Sequence, residues 1–293
     1  MAVAAGLIED RPRLGILLML GAWALFAVVD TSAKWLVLMA FPAFQLAFMR
    51  YAGHFVISTA LIARGGITRD RFQTQRPGLV VLRALLLILA TLSNFYALNF
   101  LPLTVTAAIM FSSPVIVCFL SYAVLKEPVG PWRWGAILLG FVGVLIVIRP
   151  LGAGFHWAMG LALFNAASLA LYSLITRQLA GVVATETMQF YMGVLGTAIL
   201  APMAVWTWVW PQSGLEWVLL IGLGVLGWAG HQMLTIAHRF SSANTLMPYM
   251  YSLMVYLTIL SYFVFDHLPD VWTVLGTIII VASGLIIWKR EQR

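Results

Sequence analysis

Long apolar segments separated by short, helix-breaking joints dominate this chain and decide what it can fold into. Most hold about 20 residues, enough at about 1.5 Å per residue to cross a hydrocarbon core about 30 Å thick. The predicted spans are Leu14–Lys34, Ala43–Ala63, Leu79–Asn99, Leu103–Leu125, Trp132–Ile148, Trp157–Gln178, Glu186–Trp206, Leu215–His238, Ala243–Phe265 and Asp270–Trp288. Joints carry prolines such as Pro102, Pro211 and Pro269, which end helices. We therefore predict an all-α membrane protein with ten transmembrane helices.

Basic residues alternate between the two predicted sides of the membrane. One side holds Arg11, Arg13, Arg64, Arg69, Arg71, Arg76, Lys126, Arg133, Arg177, Arg239, Lys289, Arg290 and Arg293, which are 13 of the 17 basic residues. Lys34 and Arg149 fall on the other side, and Arg50 and Arg83 fall inside spans. Because cytoplasmic loops are enriched in Lys and Arg, we predict that both termini are cytoplasmic.

Composition excludes several classes of function. With 62% hydrophobic and 9% charged residues, a water-soluble fold could not cover its surface with polar groups. The net charge of +7 is scattered over joints, which indicates contact with membrane lipids and predicts no nucleic acid partner. Cys118 is the lone cysteine, so we predict no internal disulfide, no metal site and no cofactor.

The two halves of the chain share faint similarity at an offset of roughly 140 residues. Leu120-Ser121-Tyr122 recurs as Leu260-Ser261-Tyr262, and Trp132 matches Trp272. Five spans per half would make the second copy, residues 151–293, enter the membrane from the opposite side to the first, residues 1–150. Inverted repeats support alternating access around a midplane site. Chance recurrence of common membrane residues is the competing interpretation.

Several short motifs carry a resemblance to a known family. They are Leu101-Pro102-Leu103-Thr104-Val105-Thr106-Ala107-Ala108, Ser113-Pro114-Val115, Lys126-Glu127-Pro128, Phe240-Ser241-Ser242-Ala243-Asn244 and Asp266-His267-Leu268-Pro269. With these motifs the chain resembles ten-helix EamA-type members of the drug/metabolite transporter superfamily, and within them the YddG-type amino-acid exporters. Members usually carry Glu near the end of span nine, where this chain has Asp266 or His267. The resemblance implies an inner-membrane exporter of amino acids or related metabolites.

Charged and polar residues inside spans are functional candidates because burying them in lipid is costly. Asp30 and Arg50 reach similar depths, so we predict an ion pair between them, as a gate or a clamp. An ion pair of Asp30 with Lys34, four residues along the same helix, is the alternative. His54 follows Arg50 by four residues, and we predict that Asp30, Arg50 and His54 together act in gating or in coupling. Arg83 lies close to the cytoplasmic side, so we expect it to snorkel to lipid headgroups.

Spacing of polar and aromatic residues indicates a binding site near the midplane. Span one places Trp23, Phe26 and Asp30 on one face. An amino acid needs donors for its carboxylate, acceptors for its ammonium group and a wall for its side chain. The predicted substrate-binding residues are Trp23, Phe26, Tyr96, Asn99, Ser112, Asn165, Tyr172, Trp228, His231 and Tyr251.

We predict a monomeric secondary transporter that exports amino acids, aromatic or hydrophobic ones included, or related small metabolites across the plasma membrane. The alternative cargo is a larger metabolite, such as a nucleotide-linked or adenosyl compound. An intramembrane enzyme is a weaker alternative. Such chemistry needs paired acids or a zinc-binding motif, whereas Asp30 is the one acid deep inside the predicted spans. The sequence predicts no catalytic residue.

Overall fold

The computed structural model describes residues 11–64, 74, 76–113, 115–117, 119–120, 131–149, 155–179, 182–241 and 246–291. Predictions that concern Pro114, Cys118 and Lys126-Glu127-Pro128 lie outside these residues. The helices of the described residues include α1 (Pro12–Leu38), α2 (Ala43–Arg64), α3 (Pro77–Ala97), α4 (Leu103–Met110), α5 (Pro131–Ile148), α6 (Ala158–Leu179), α7 (Thr185–Trp206), α8 (Gly214–Phe240), α9 (Ser252–Phe265) and α10 (Val271–Glu291). A 3₁₀-helix, Met247–Tyr251, precedes α9. No strand is present in the described part of the chain.

Helix boundaries follow from local sequence. Pro12 and Pro77 stand at the first positions of α1 and α3, where a missing N–H costs nothing. Ser213 and Glu216 form a capping box at the start of α8, each satisfying the other's backbone N–H. At the end of α9, Asp266 adopts φ 51°, a left-handed conformation that stops the helix.

Apolar length confirms the membrane class that the sequence predicts. Six helices in the described residues are long and apolar enough to span a bilayer: α1, α2, α3, and most of α6, α7 and α8. Shorter apolar stretches occur at Trp134–Ile148, Tyr249–Phe265 and Val271–Ile286. Large apolar side chains such as Val205 and Phe263 are exposed, as a lipid-facing surface requires. The count of ten crossings stays a prediction.

The main helix pairs form a pattern that is unchanged when each helix is replaced by the helix five places along the chain. Thus α1 packs on α8 and α6 packs on α3, while α1 also contacts α9 and α6 contacts α4. The pair α2–α8 likewise exchanges with α7–α3, and the remaining main pairs, α2–α7, α5–α10 and α4–α9, map onto themselves. Backbone breaks correspond too: α4 ends at Met110 in a turn at Phe111 and Ser112, and the 3₁₀-helix precedes α9. These contacts link the six long helices α1, α2, α3, α6, α7 and α8 to one another.

Candidate functional site

An aromatic row crosses the centre of the helix assembly. Trp23 and Phe26 on α1 have ring centroids 5.6 Å apart, and Phe26 lies 4.9 Å from His231 on α8. His231 in turn lies 6.1 Å from His54 on α2. All three steps are edge-on contacts, a favourable geometry for aromatic pairs. The row joins three helices because α1 and α2 both pack on α8.

Glycine makes the close approach of α1 and α8 possible. A Cβ atom on Gly230 would lie 2.7 Å from Cε1 of Phe26, so the Phe26 ring rests against the bare backbone of α8. Trp23, Phe26 and His231 nevertheless keep partial solvent exposure. Each of these rings thus leaves part of its surface uncovered by the described residues. The indole Nε1 of Trp23 is buried and has no hydrogen-bond partner among the described residues.

Asp30 is held by an amide rather than by a basic side chain. Asn94 Nδ2 on α3 donates to Asp30 Oδ1 at 3.2 Å. Arg50 is near enough to attract the Asp30 carboxylate, but the predicted direct ion pair is not among the described contacts. Instead the Arg50 guanidinium lies 5.8 Å from the Phe95 ring centroid, and its side chain packs over Gly227.

The alternative ion pair, between Lys34 and Asp30, is not among the described contacts either. Lys34 Nζ donates to the carbonyl oxygens of Leu98 at 2.5 Å and Leu101 at 3.0 Å. The ammonium group therefore satisfies backbone oxygens at the end of α3. It also borders a cavity of about 230 Å³. The other cavity residues are Leu38, Phe100, Leu101, Pro102, Leu103, Ser261, Phe265 and His267.

Arg83 points inward, so the expectation that it snorkels to lipid is wrong. The residue is 4% exposed. Its Nε donates to Thr176 Oγ1 at 2.8 Å, and its Nη2 donates to the Tyr172 hydroxyl at 2.5 Å. The guanidinium carbon also lies 4.4 Å from the centroid of the Tyr172 ring. Because α3 packs on α6, two oxygens four residues apart on α6 draw the side chain into the protein.

Two further hydrogen bonds join α2 to its neighbours α3 and α7. His54 Nε2 lies 2.8 Å from Gln189 Oε1 on α7, so the ring nitrogen donates to the amide oxygen. The Tyr51 hydroxyl shares a hydrogen bond of 2.9 Å with the Thr91 hydroxyl on α3. Gln189 and Thr176 were not identified from the sequence, although a polar residue in an apolar span is the relevant signal.

The centre carries excess positive charge. Arg50 and Arg83 both lie within electrostatic range of His54 and His231. Asp30 is the carboxylate that faces Arg50 from α1. Two guanidinium groups and one carboxylate therefore share this region of the described structure, which favours ligands that carry a negatively charged group.

Other predicted binding residues lie elsewhere. Tyr96 is 44% exposed and belongs to an aromatic cluster with Phe100 and Trp157, and Asn99 donates to the Tyr96 carbonyl at the end of α3. The Ser112 hydroxyl donates to a carbonyl of its own helix turn, and the Tyr251 ring packs on Phe111 and on Gly284 of α10. Asn165 is buried on α6 and Trp228 is partly exposed on α8, and neither makes a described contact with the aromatic row.

Comparison with known proteins places this geometry among transporters. The model of the EamA-like transporter family matches residues 13–149 and again residues 156–289. An S-adenosylmethionine uptake transporter of Rickettsia prowazekii is 28% identical over 86% of this chain and 84% of its own length. A riboflavin transporter of Vibrio cholerae is 29% identical over 98% and 96%, and a pseudopaline exporter of Pseudomonas aeruginosa is 24% identical over 98% and 100%.

A solved crystal structure shares the fold, with a TM-score of 0.64 at 21% identity and full coverage of both chains. None of the relatives named above is an amino-acid exporter, so the narrower resemblance to YddG-type exporters stays a prediction. The two family matches together span nearly the whole described chain. The protein therefore belongs to the EamA-like transporter family of the drug/metabolite transporter superfamily, whose members are membrane transporters and not enzymes.

Proposed function

We propose that this protein is a secondary transporter for a metabolite that carries a flat ring, of the adenosyl class. The observation that carries the proposal is the partly exposed aromatic row of Trp23, Phe26 and His231, which lies where α1 packs on α8. A planar heterocycle gains stacking and apolar burial against such a row. The buried Trp23 N–H offers it a hydrogen-bond donor.

The polar groups beside the row suit a zwitterionic cargo. Asp30, held by Asn94, offers an acceptor for an ammonium or sulfonium centre. The names of the relatives support the same class, because several are S-adenosylmethionine uptake transporters. Export of amino acids, the main expectation from the sequence, finds less support in these names than the alternative of an adenosyl or other larger metabolite.

Alternating access between two inverted five-helix repeats, residues 1–150 and 151–293, is the mechanism that we propose. The exchange symmetry of the helix pairs supports it, and so does the double match to the family model. Rocking one half against the other would open the centre to each side in turn.

Counterflow in proteoliposomes tests the cargo without assuming a direction or a coupling ion. Vesicles loaded with unlabelled S-adenosylmethionine should accumulate the labelled compound, whereas vesicles loaded with phenylalanine should not accumulate labelled phenylalanine. Phe26→Leu should weaken binding roughly threefold to tenfold, because an aromatic pair contributes about 0.5–1.5 kcal/mol. Trp157→Leu, at an exposed ring outside the row, is the matched control. Exchange of phenylalanine but not of S-adenosylmethionine would contradict this proposal and support transport of amino acids instead.

A further inference from the structure

Arg83 is a buried cation, and one nitrogen of its guanidinium group has no hydrogen-bond partner among the described residues. Nε and Nη2 are bonded to the neutral hydroxyls of Thr176 and Tyr172, whereas Nη1 is buried without any hydrogen-bond partner among the described residues. The salt bridge described in this structure joins Arg149 to Asp270 and does not involve Arg83. Thus no carboxylate of the described residues compensates the guanidinium charge.

Burying an arginine in this way costs free energy unless an anion compensates it. A guanidinium group presents its two terminal nitrogens as a fork that fits the two oxygens of a carboxylate. Here one prong, Nη1, is free and the other, Nη2, is bonded to a neutral phenol that an anion can replace. The bond from Nε to Thr176 meanwhile holds the plane of the group in place.

We infer that Arg83 binds the carboxylate of the transported metabolite, which restricts the cargo to adenosyl compounds that keep an amino-acid end. This inference rests on the proposed function. Nη1 is covered in the present conformation, so the carboxylate reaches it when the Tyr172 ring, stacked 4.4 Å from the guanidinium carbon, turns aside. Between transport cycles the Tyr172 hydroxyl then takes the place of the carboxylate on the Arg83 guanidinium group.

Two ligands that differ only in the carboxylate provide the test. Binding of S-adenosylmethionine and of its decarboxylated form is measured by calorimetry on the purified protein. Charge-assisted hydrogen bonds contribute about 1.5–3 kcal/mol, so the wild type should prefer the carboxylate form by roughly tenfold or more. Arg83→Gln should abolish this preference by weakening binding of S-adenosylmethionine, and should not weaken binding of the decarboxylated form. Arg76→Gln, at an exposed residue just before α3, should behave as the wild type.

Tyr172→Phe adds a variant that keeps the arginine. Removing the competing hydroxyl should preserve or increase the preference for the carboxylate form, whether or not Arg83→Gln folds. Equal affinity of the wild type for the two ligands would overturn the inference but leave the proposed function intact. Equal loss of both ligands in Arg83→Gln would show a structural role and overturn it too. Failure of the wild type to bind either ligand would instead overturn the proposed function.

Discussion

At the scale of single residues, the hydrogen bond between His54 and Gln189 should contribute measurably to stability. His54 is 3% and Gln189 7% exposed, so Gln189→Leu leaves the ring N–H buried without a partner. An unsatisfied buried donor costs about 1–3 kcal/mol, and we expect a corresponding loss of stability in the unfolding of detergent-solubilised protein. Gln178→Leu, at an exposed residue on α6, is the control and should have little effect. Equal stability of the two variants would contradict the role of the bond.

Residue-scale patterns predicted part of the geometry of the candidate site. The spacing of Trp23 and Phe26 correctly placed both rings on one face of α1, because helical periodicity is a local property. The inward direction of Arg83 could not be predicted, since it depends on α3 packing against Tyr172 and Thr176 of the other half. Local spacing indicates which residues share a face but not which helix covers that face.

At the scale of helices, the crossing of α2 and α8 depends on paired glycines. A Cβ atom on Gly53 would lie 2.7 Å from Cα of Gly224, so Gly53→Val must push the two helices apart. That separation moves Arg50 and His54 away from His231, and we expect loss of transport together with a lower melting temperature. Gly222→Ala on α8 has its nearest neighbour at 3.9 Å and should be neutral or stabilising. Normal transport by Gly53→Val would contradict the close approach of α2 and α8 at Gly53 and Gly224.

The ends of α5 and α10 are joined by an ion pair that gives a pH-dependent prediction. Arg149 Nη2 lies 2.7 Å from Asp270 Oδ2, and Asp270 also caps α10, accepting from the Thr273 N–H at 2.8 Å. Asp270 precedes α10 and lies outside the spans of the structure. Partial burial raises the pKa of its carboxyl, but the hydrogen bonds from Thr273 and the charge of Arg149 outweigh that effect and hold the pKa below its ordinary value of 3.8.

A lowered pKa means that this stabilisation is present above pH 3.8 and is lost as the pH falls through the folded-state pKa. Because both side chains are partly exposed, at 29% and 46%, we expect only about 0.2–1 kcal/mol. Asp270→Asn keeps a capping oxygen and should remove the difference in melting temperature between neutral and acid pH that this pair causes. Asp270→Ala should cost about 1 kcal/mol more through the lost cap. If the melting temperature of Asp270→Asn still fell at acid pH as much as that of the wild type, other groups would be responsible for the pH dependence.

At the scale of the whole molecule, the exchange symmetry of the main helix pairs is what two equivalent halves would produce. Two residues that correspond at an offset of 140 could then meet only near the symmetry axis, and Phe111 and Tyr251 do meet, with ring centroids 5.3 Å apart. Both lie where the α-helical backbone is interrupted. Weak sequence matches predicted the duplication, but only the packing of α4 against α9 reveals which residues the symmetry brings together.

The membrane orientation of the two halves is a prediction from charge that can be measured directly. Thirteen of 17 basic residues fall on one predicted side, so the positive-inside rule predicts that both ends of the chain are cytoplasmic. In a Cys118→Ser background, cysteines replace Arg13 before the apolar part of α1, Lys289 near the end of α10 and Gln212 in the joint before α8. All three residues are exposed in the structure.

A membrane-impermeant maleimide should label Gln212→Cys in intact spheroplasts, and should label Arg13→Cys and Lys289→Cys only in inverted vesicles. Residues 13 and 289 share a side if the number of crossings is even, and five crossings per half then force the second half to be inverted. Labelling of residues 13 and 289 from opposite sides would require an odd number of crossings. The two halves could not then both cross five times, and the symmetric pairing of α1–α8 with α3–α6 would no longer imply two equivalent access states.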